Sequence, residues 1–363
     1  MVCKTDILIV GGGLAGLSLA KKLCDKNIDF HLVEARSRFG GRIKTERLNT
    51  GYYDMGPAWF WDGQPRIHAL IKELNLTVFD QYADGVLSFE DHNGEVHKGQ
   101  GYSSMAGSYR LVGGLMHLTD RLAQELPDKN ISLNARVVEI HDITNGVKVV
   151  LDTANGFMEM HAQIVVLAIP PRVASQQIMF QPELPLQARQ AMESITTWMA
   201  GQAKAVAVYD RPFWRDQGLS GDAMSRHGPM VEIHDASPNK DGPYALFGFI
   251  GVPVQARADK SVLRAQIIEQ LGRLFGPEAK QPKELFLKDW ADDPFTATHL
   301  DHVPVSAHPH YGMPQALREL MNGKIFMGST EVAPQFGGYI EGALEASENT
   351  LRDIMEAKVR VGA

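Results

Sequence analysis

The chain has almost no cysteine: among its 363 residues only Cys3 and Cys24 occur, so neither a disulfide framework nor a zinc site of the Cys-x-x-Cys type can be built. A reducing compartment, the cytoplasm, is expected. Basic charge is not in excess, with 36 Lys and Arg against 43 Asp and Glu and a formal net charge of -7. A phosphate backbone would find little to bind, and nucleic acid is not expected as a partner. No uninterrupted apolar run reaches the roughly 18 residues that span a bilayer, and a strand begins by about Asp6, leaving no room for a secretory leader. No membrane association is expected. Internal repeats and low-complexity tracts are also missing. What remains is a globular mix, 44% hydrophobic and 22% charged, long enough for two domains of unequal size.

The apolar run Asp6 to Val10 predicts a strand, and Gly11-Gly12-Gly13-Leu14-Ala15-Gly16 a tight turn. Leu17, Ala20, Leu23 and Cys24 then recur at helical spacing. Phe30 to Val33 predicts a second strand ending in Glu34, which closes a βαβ unit. Four more strands are expected at Val137 to Ile143, Val147 to Leu151, Phe157 to His161 and Ile164 to Ile169. Asn145-Gly146 and Asn155-Gly156 mark the turns of an antiparallel meander, and Pro170-Pro171 ends it. Ala203 to Tyr209, Met230 to His234, Tyr244 to Ile250 and Leu285 to Trp290 predict a second, antiparallel sheet. A helix carrying Leu263, Ile267, Leu271 and Leu274 would cover it. Ile325 to Met327 returns as a buried strand, and Ile340, Ala343, Leu344, Ser347 and Leu351 mark a last helix.

Gly11, Gly13 and Gly16 fit Gly-x-Gly-x-x-Gly: the first permits the turn, the second lets backbone approach a pyrophosphate, and the third lets helix pack on strand. Glu34 lies 23 positions after Gly11, where a carboxylate can accept both ribose hydroxyl protons and repel a 2′-phosphate. FAD or NAD is favoured over NADP, and the turn alone does not choose between them.

Directly afterwards the chain reads Glu34-Ala35-Arg36-Ser37-Arg38-Phe39-Gly40-Gly41-Arg42, which resembles the second flavin motif of the flavin amine oxidase (monoamine oxidase) family. Arg36 and Arg42 offer forked donors to adenosine and pyrophosphate oxygens, and Gly40-Gly41 lets backbone pass close to a cofactor. Further segments resemble the same family in order. They are Asp54-Met55-Gly56-Pro57-Ala58, Tyr109 to Leu115 with its Val-Gly-Gly turn, Ala135 to Ile140, Val166 to Pro171, Lys204 to Arg215, Phe326 to Glu331 and Gly337 to Ala343. The resemblance implies non-covalent FAD, since His299 stands where some members carry a flavin-linking cysteine. It also implies contact of the cofactor with Leu14, Ala15, Gly56, Pro57, Ala58, the Val138 backbone, Gly328 and Gly338, and a ribityl hydroxyl accepted by Glu331.

The candidate chemistry rests on three residues. Lys204 shares a strand face with Val206 and Val208, so its ammonium enters an apolar space, and burial brings its pKa towards neutrality. By resemblance, it would hold a water beside flavin N5 and assist oxidation of the reduced flavin by dioxygen. Tyr339 and Ile340 open the last helix, whose N-terminal N–H groups favour the negative charge of a reduced flavin; Tyr339 would face the substrate. Trp290 resembles the tryptophan that packs against the flavin. Leu300 stands at the second position of the family's aromatic cage, and the stretch from about Phe79 to Gly101 replaces a long helical insertion. His299, His302, His308 and His310 lie close in sequence, but no cysteine or carboxylate pair completes a metal site, and no metal is expected.

The expected fold is therefore α/β, a discontinuous Rossmann-like FAD-binding domain of residues 1–78, 101–193 and 293–363. An antiparallel-sheet substrate domain of residues 79–100 and 194–292 is inserted. The expected activity is oxidation of a C–N bond in a small-molecule amine, with dioxygen as acceptor. Desaturation of a C–C bond, or flavin binding without turnover, are the alternatives.

Overall fold

The computed structural model describes residues 3–240, 242–303, 305 and 307–362. The strand Cys3–Val10 pairs in parallel with Phe30–Val33 on one side and with Gly156–Leu167 on the other, and Ile325–Met327 extends the parallel set beyond Gly156–Leu167. Ile7, Leu8 and Ile9 are fully buried, as a continuous apolar run requires when both sheet faces are covered. Ile7 and Ile9 face the first helix, Leu14–Asp25, and the last, Ile340–Gly362, whereas Leu8 and Val10 join a second core with Val147, Val149 and Leu151. The two helices touch through Ser18 Oγ and Ser347 Oγ, 2.9 Å apart. The end of the chain is thereby locked beside its beginning.

The meander forms as expected, with Gly146 and Gly156 at positive φ in its two turns. One expectation needs correction. Phe157 to His161 and Ile164 to Ile169 are not separate strands but one strand of 12 residues, Gly156–Leu167. Ala162-Gln163 contains no turn former, so the ladder runs on; its first half pairs in the meander, and from Met160 onward it pairs in parallel with Cys3–Val10.

A seven-stranded sheet takes its strands from Val86–Glu90, Val96–Lys98, Ala203–Tyr209, Leu219–Ser225, Met230–Asp235, Tyr244–Ile250 and Glu284–Asp289. The side-chain period of two decides its faces. Ala203, Ala205 and Ala207 pack under the helix Lys260–Phe275, against Leu263, Ile267 and Leu271. Val206 and Val208 point the other way, towards Tyr53, Met55 and Trp59 of the first sheet's connections. Leu219–Ser225 was not expected as a strand, because Ser220-Gly221-Asp222 interrupts its apolar pattern, yet six of its seven residues are buried.

Candidate functional site

A cleft of about 370 Å³ opens between the two sheets. The N-terminal turn lines it with Gly11, Gly13, Leu14 and Ala15, while Gly16 lies behind, packed on the Gly11 carbonyl. Glu34, Arg36, Gly40, Gly41 and Arg42 form the next wall, and Gly56, Pro57 and Ala58 the floor beside them. Lys204 comes from the second sheet, Trp290 from the residue just after its strand Glu284–Asp289, and Gly338, Tyr339 and Ile340 from the start of the last helix. Residues more than 300 positions apart thus share one wall.

The adenosine end is rigid. Glu34 is buried, and its two carboxylate oxygens accept from the Gly12 N–H at 2.7 Å and the Arg36 N–H at 2.8 Å. Ala35 and Val137 line a small adjoining pocket that shares Glu34 and Arg36 with the main cleft. Val138 lies at a register shift between Val137 and Glu139, which frees its backbone from the ladder at that point. Arg36 is already engaged: its Nη2 lies 2.5 Å from Asp293 and its guanidinium sits 5.1 Å from the Phe295 ring. Burial alone would raise Asp293, but Arg36 and Lys288 hold its carboxyl below the usual range.

The chemical end is drier. Lys204 is 5% exposed, donates to the Gly56 carbonyl, and lies within 6 Å of the Trp59, Phe247 and Phe249 rings. Burial lowers its pKa to about 7, against a smaller opposing pull from Asp54. Trp290 Nε1 donates to the Met55 carbonyl at 2.8 Å. Lys204 and Trp290 therefore clamp successive carbonyls of the segment that forms the cleft floor. Tyr339 is 39% exposed at the mouth. His308 stacks on it with centroids 4.8 Å apart and 15° between the planes, and Trp198 meets His308 edge-on at 4.8 Å.

Several expectations are redirected by these contacts. Leu300 does not line the cleft; the wall beside Tyr339 is made by Trp198, with His308 stacked behind. Glu331 is fully buried with Arg42 Nη1 2.7 Å from its Oε1, so the carboxylate faces that guanidinium and is not part of the cleft lining. Gly328 also lies behind the lining, where a Cβ would meet Val166 at 2.7 Å. The four histidines form no metal-type group among the described residues; the one that converges is Asp91, Glu95 and His97 on an exposed hairpin. Sequence reasoning missed Trp59, Trp61, Met105, Trp198, Met199 and Phe249, all on the cleft wall. Met199 sits at φ +64, a strained value for a long side chain, and no residue type announces it.

The wall fits a flavin dinucleotide. A Cβ on Gly13 would meet no protein atom within 4 Å, because it would point into the cleft. Ser329 Oγ, on the wall, is buried without a hydrogen-bond partner. The first helix begins at Leu14 and the last at Ile340, and helix N-termini carry unpaired N–H groups suited to phosphate and to a reduced flavin ring. Replacing Glu34 by Ala should weaken FAD binding by roughly 1 to 3 kcal/mol without moving the visible spectrum of the bound flavin. Equilibrium dialysis checks it, and an unchanged affinity contradicts the assignment. His299 is exposed and away from the cleft wall, and both cysteines are free, so acid precipitation should release the yellow flavin into the supernatant. Colour kept in the pellet would mean a covalent bond.

Comparison with known proteins agrees with this geometry. The profile of a family described as flavin containing amine oxidoreductase matches residues 14–101 and 93–355. A Mycobacterium tuberculosis protein assigned by name to the flavin-containing monoamine oxidases is 32% identical over 96% of this chain and 96% of its own length. The flavin-containing amine oxidase A of Sus scrofa is 25% identical over 98% of this chain and 86% of its own. Among solved structures, putrescine oxidase bound to putrescine superposes with a TM-score of 0.81 at 21% identity, covering 98% of this chain and 100% of that one. Cyclohexylamine oxidase from Brevibacterium oxydans IH-35A gives 0.78 at 20%, covering 97% and 99%. The bacterial alignment runs over 456 positions against 363 residues here, so the relative carries segments this chain lacks.

Proposed function

Because the chain belongs to the flavin containing amine oxidoreductase family, we propose that it oxidises the C–N bond of a small amine and passes the electrons to dioxygen. The observation that carries this reading is the convergence of Lys204, Trp290 and Tyr339 on one cleft with the dinucleotide turn. The cofactor is FAD, and when bound it supplies the two-electron acceptor.

The chain's own residues do the rest. Glu34 would accept from the ribose, and the N-termini of the first and last helices would favour the pyrophosphate and negative charge on the ring. Trp59, Phe249 and Met105 make the substrate end apolar, which excludes water and favours an unprotonated amine, the form whose lone pair supports the loss of hydride. Tyr339 orients the amine with its ring. Lys204, which donates to the Gly56 carbonyl, could hold a water over the cleft floor and, when protonated, would place positive charge beside the bound cofactor, favouring transfer of electrons to dioxygen. The free cysteines suit a reducing cytoplasm. Anaerobic bleaching of the bound flavin by primary, aromatic or polyamines tests the reading. Bleaching by none of them, with the flavin still reducible by dithionite, would turn the assignment to C–C desaturation or to a scaffold.

A further inference from the structure

The two matched pieces of the family profile meet at residues 93–101, and the relatives' alignments are longer than this chain. The segment immediately after that junction reaches the cleft through Met105. Gly101 and Gly107 bound it at φ +112 and +78, values that other residues rarely adopt, and a Cβ on either would meet no neighbour, so it is backbone conformation and not a close approach that calls for glycine. Between them Met105 turns inward. It lines the cleft and packs against the same aromatic cluster that surrounds Lys204, including Trp59, Phe247 and Phe249.

The segment is tied to the second sheet at two adjacent points, and Ser108 Oγ also donates to the Met105 carbonyl at 2.7 Å. Ser103 Oγ donates to Asp222 and Ser104 Oγ to Glu232, and buried His234 bridges these carboxylates, with Nδ1 2.7 Å from Asp222 and Nε2 2.9 Å from Glu232. Glu232 is paired across the sheet with Phe249, which is paired in turn with Lys204. The latch therefore sits on the strand row that begins at the reactive end. Tyr102, by contrast, is 70% exposed.

We propose that residues 101–107 form a glycine-hinged flap which stands in for the shortened layer, and that Met105 sets how long an amine side chain the cleft accepts. The choice of probes rests on the amine reading. Holoprotein would be compared as wild type, Met105→Ala, Met105→Trp and the pair Ser103→Ala with Ser104→Ala, each checked for flavin content. One probe series is the straight-chain primary amines from propyl to decyl, read by anaerobic flavin bleaching. The other is the alkyltrimethylammonium ions of the same lengths, which lack a lone pair and cannot be oxidised, read by perturbation of the flavin absorbance.

Met105→Ala removes the thioether arm, so longer chains should gain about fourfold in affinity for each methylene newly accommodated, with the shortest unchanged. Met105→Trp should cut the profile short, and the serine pair should flatten the discrimination without abolishing binding. An identical length profile in wild type and both Met105 variants overturns the proposal, as does the lack of any length dependence in wild type. If the cations show the shifted profile while no amine bleaches the flavin, the flap stands and amine oxidation is what fails.

Discussion

Lys204→Met is expected to slow reoxidation of the reduced cofactor by dioxygen about tenfold or more while reduction by amine changes little. Met keeps the length and apolar volume but removes the only group on that strand face able to place positive charge among the Trp59, Phe247 and Phe249 rings. Electron transfer to dioxygen develops negative charge on oxygen in a dry site, and one lost electrostatic partner there typically costs a few kcal/mol. The pH dependence follows from the lysine's lowered pKa. Below about 7 its amine is protonated, so the wild-type reoxidation rate should fall as pH rises through about 7. Reduction should rise over the same range, because it needs the free amine of the substrate. The variant should lose the first dependence and keep the second. Its melting temperature should not fall: folding holds Lys204 near 7 instead of 10.5, a cost that Met does not carry. Stopped-flow measurement of both half-reactions decides it, and wild-type reoxidation in the variant would make Lys204 a structural lysine.

Two glycine substitutions in the same turn should fail in different ways. A Cβ on Gly16 would stand 2.0 Å from the Gly11 carbonyl oxygen, backbone against backbone, so Gly16→Ala must push the first helix off the first strand. Overpacking of this kind costs about 1–3 kcal/mol or more, and both the melting temperature and the flavin content should drop. Gly13 has φ -75 and ψ 179, which alanine adopts freely, and its Cβ would touch no protein atom. Gly13→Ala should therefore leave the apoprotein as stable as wild type and still weaken FAD binding at least tenfold, since the methyl enters the space where the pyrophosphate approaches the turn. Thermal unfolding with and without added FAD separates the two. Full flavin content in Gly13→Ala would refute the placement of the cofactor along this wall.

The local devices were legible because each is enforced by the chain near it. Gly11, Gly13 and Gly16 allow the tight turn into a helix, the Asn-Gly pairs favour hairpins, and strand alternation puts Lys204 on the apolar face of Val206 and Val208. The βαβ start, the meander, most strands of the second sheet and the order of the cofactor-facing segments all follow from such short-range rules. The single strand Gly156–Leu167 was harder to see, because one long strand and two short ones differ only in what pairs beside them.

What the sequence could not decide is whatever depends on two distant segments meeting. Resemblance puts Leu300 at the second cage position, yet the wall beside Tyr339 belongs to Trp198, with His308 stacked on the tyrosine. Arg36 and Arg42 read as free forks, but Asp293 and Glu331 come from the far end of the chain to engage them. Met105 and Phe249 are ordinary apolar residues by composition, and only the packing of one sheet against the connections of the other makes them the substrate end of a cleft. Residue type and spacing determined the dinucleotide turn and the face on which Lys204 lies, and the resemblance to the flavin amine oxidases, not spacing, chose FAD over NAD. Tertiary contact alone, which depends on pairings hundreds of residues apart, decided the shape of the room in which the substrate sits.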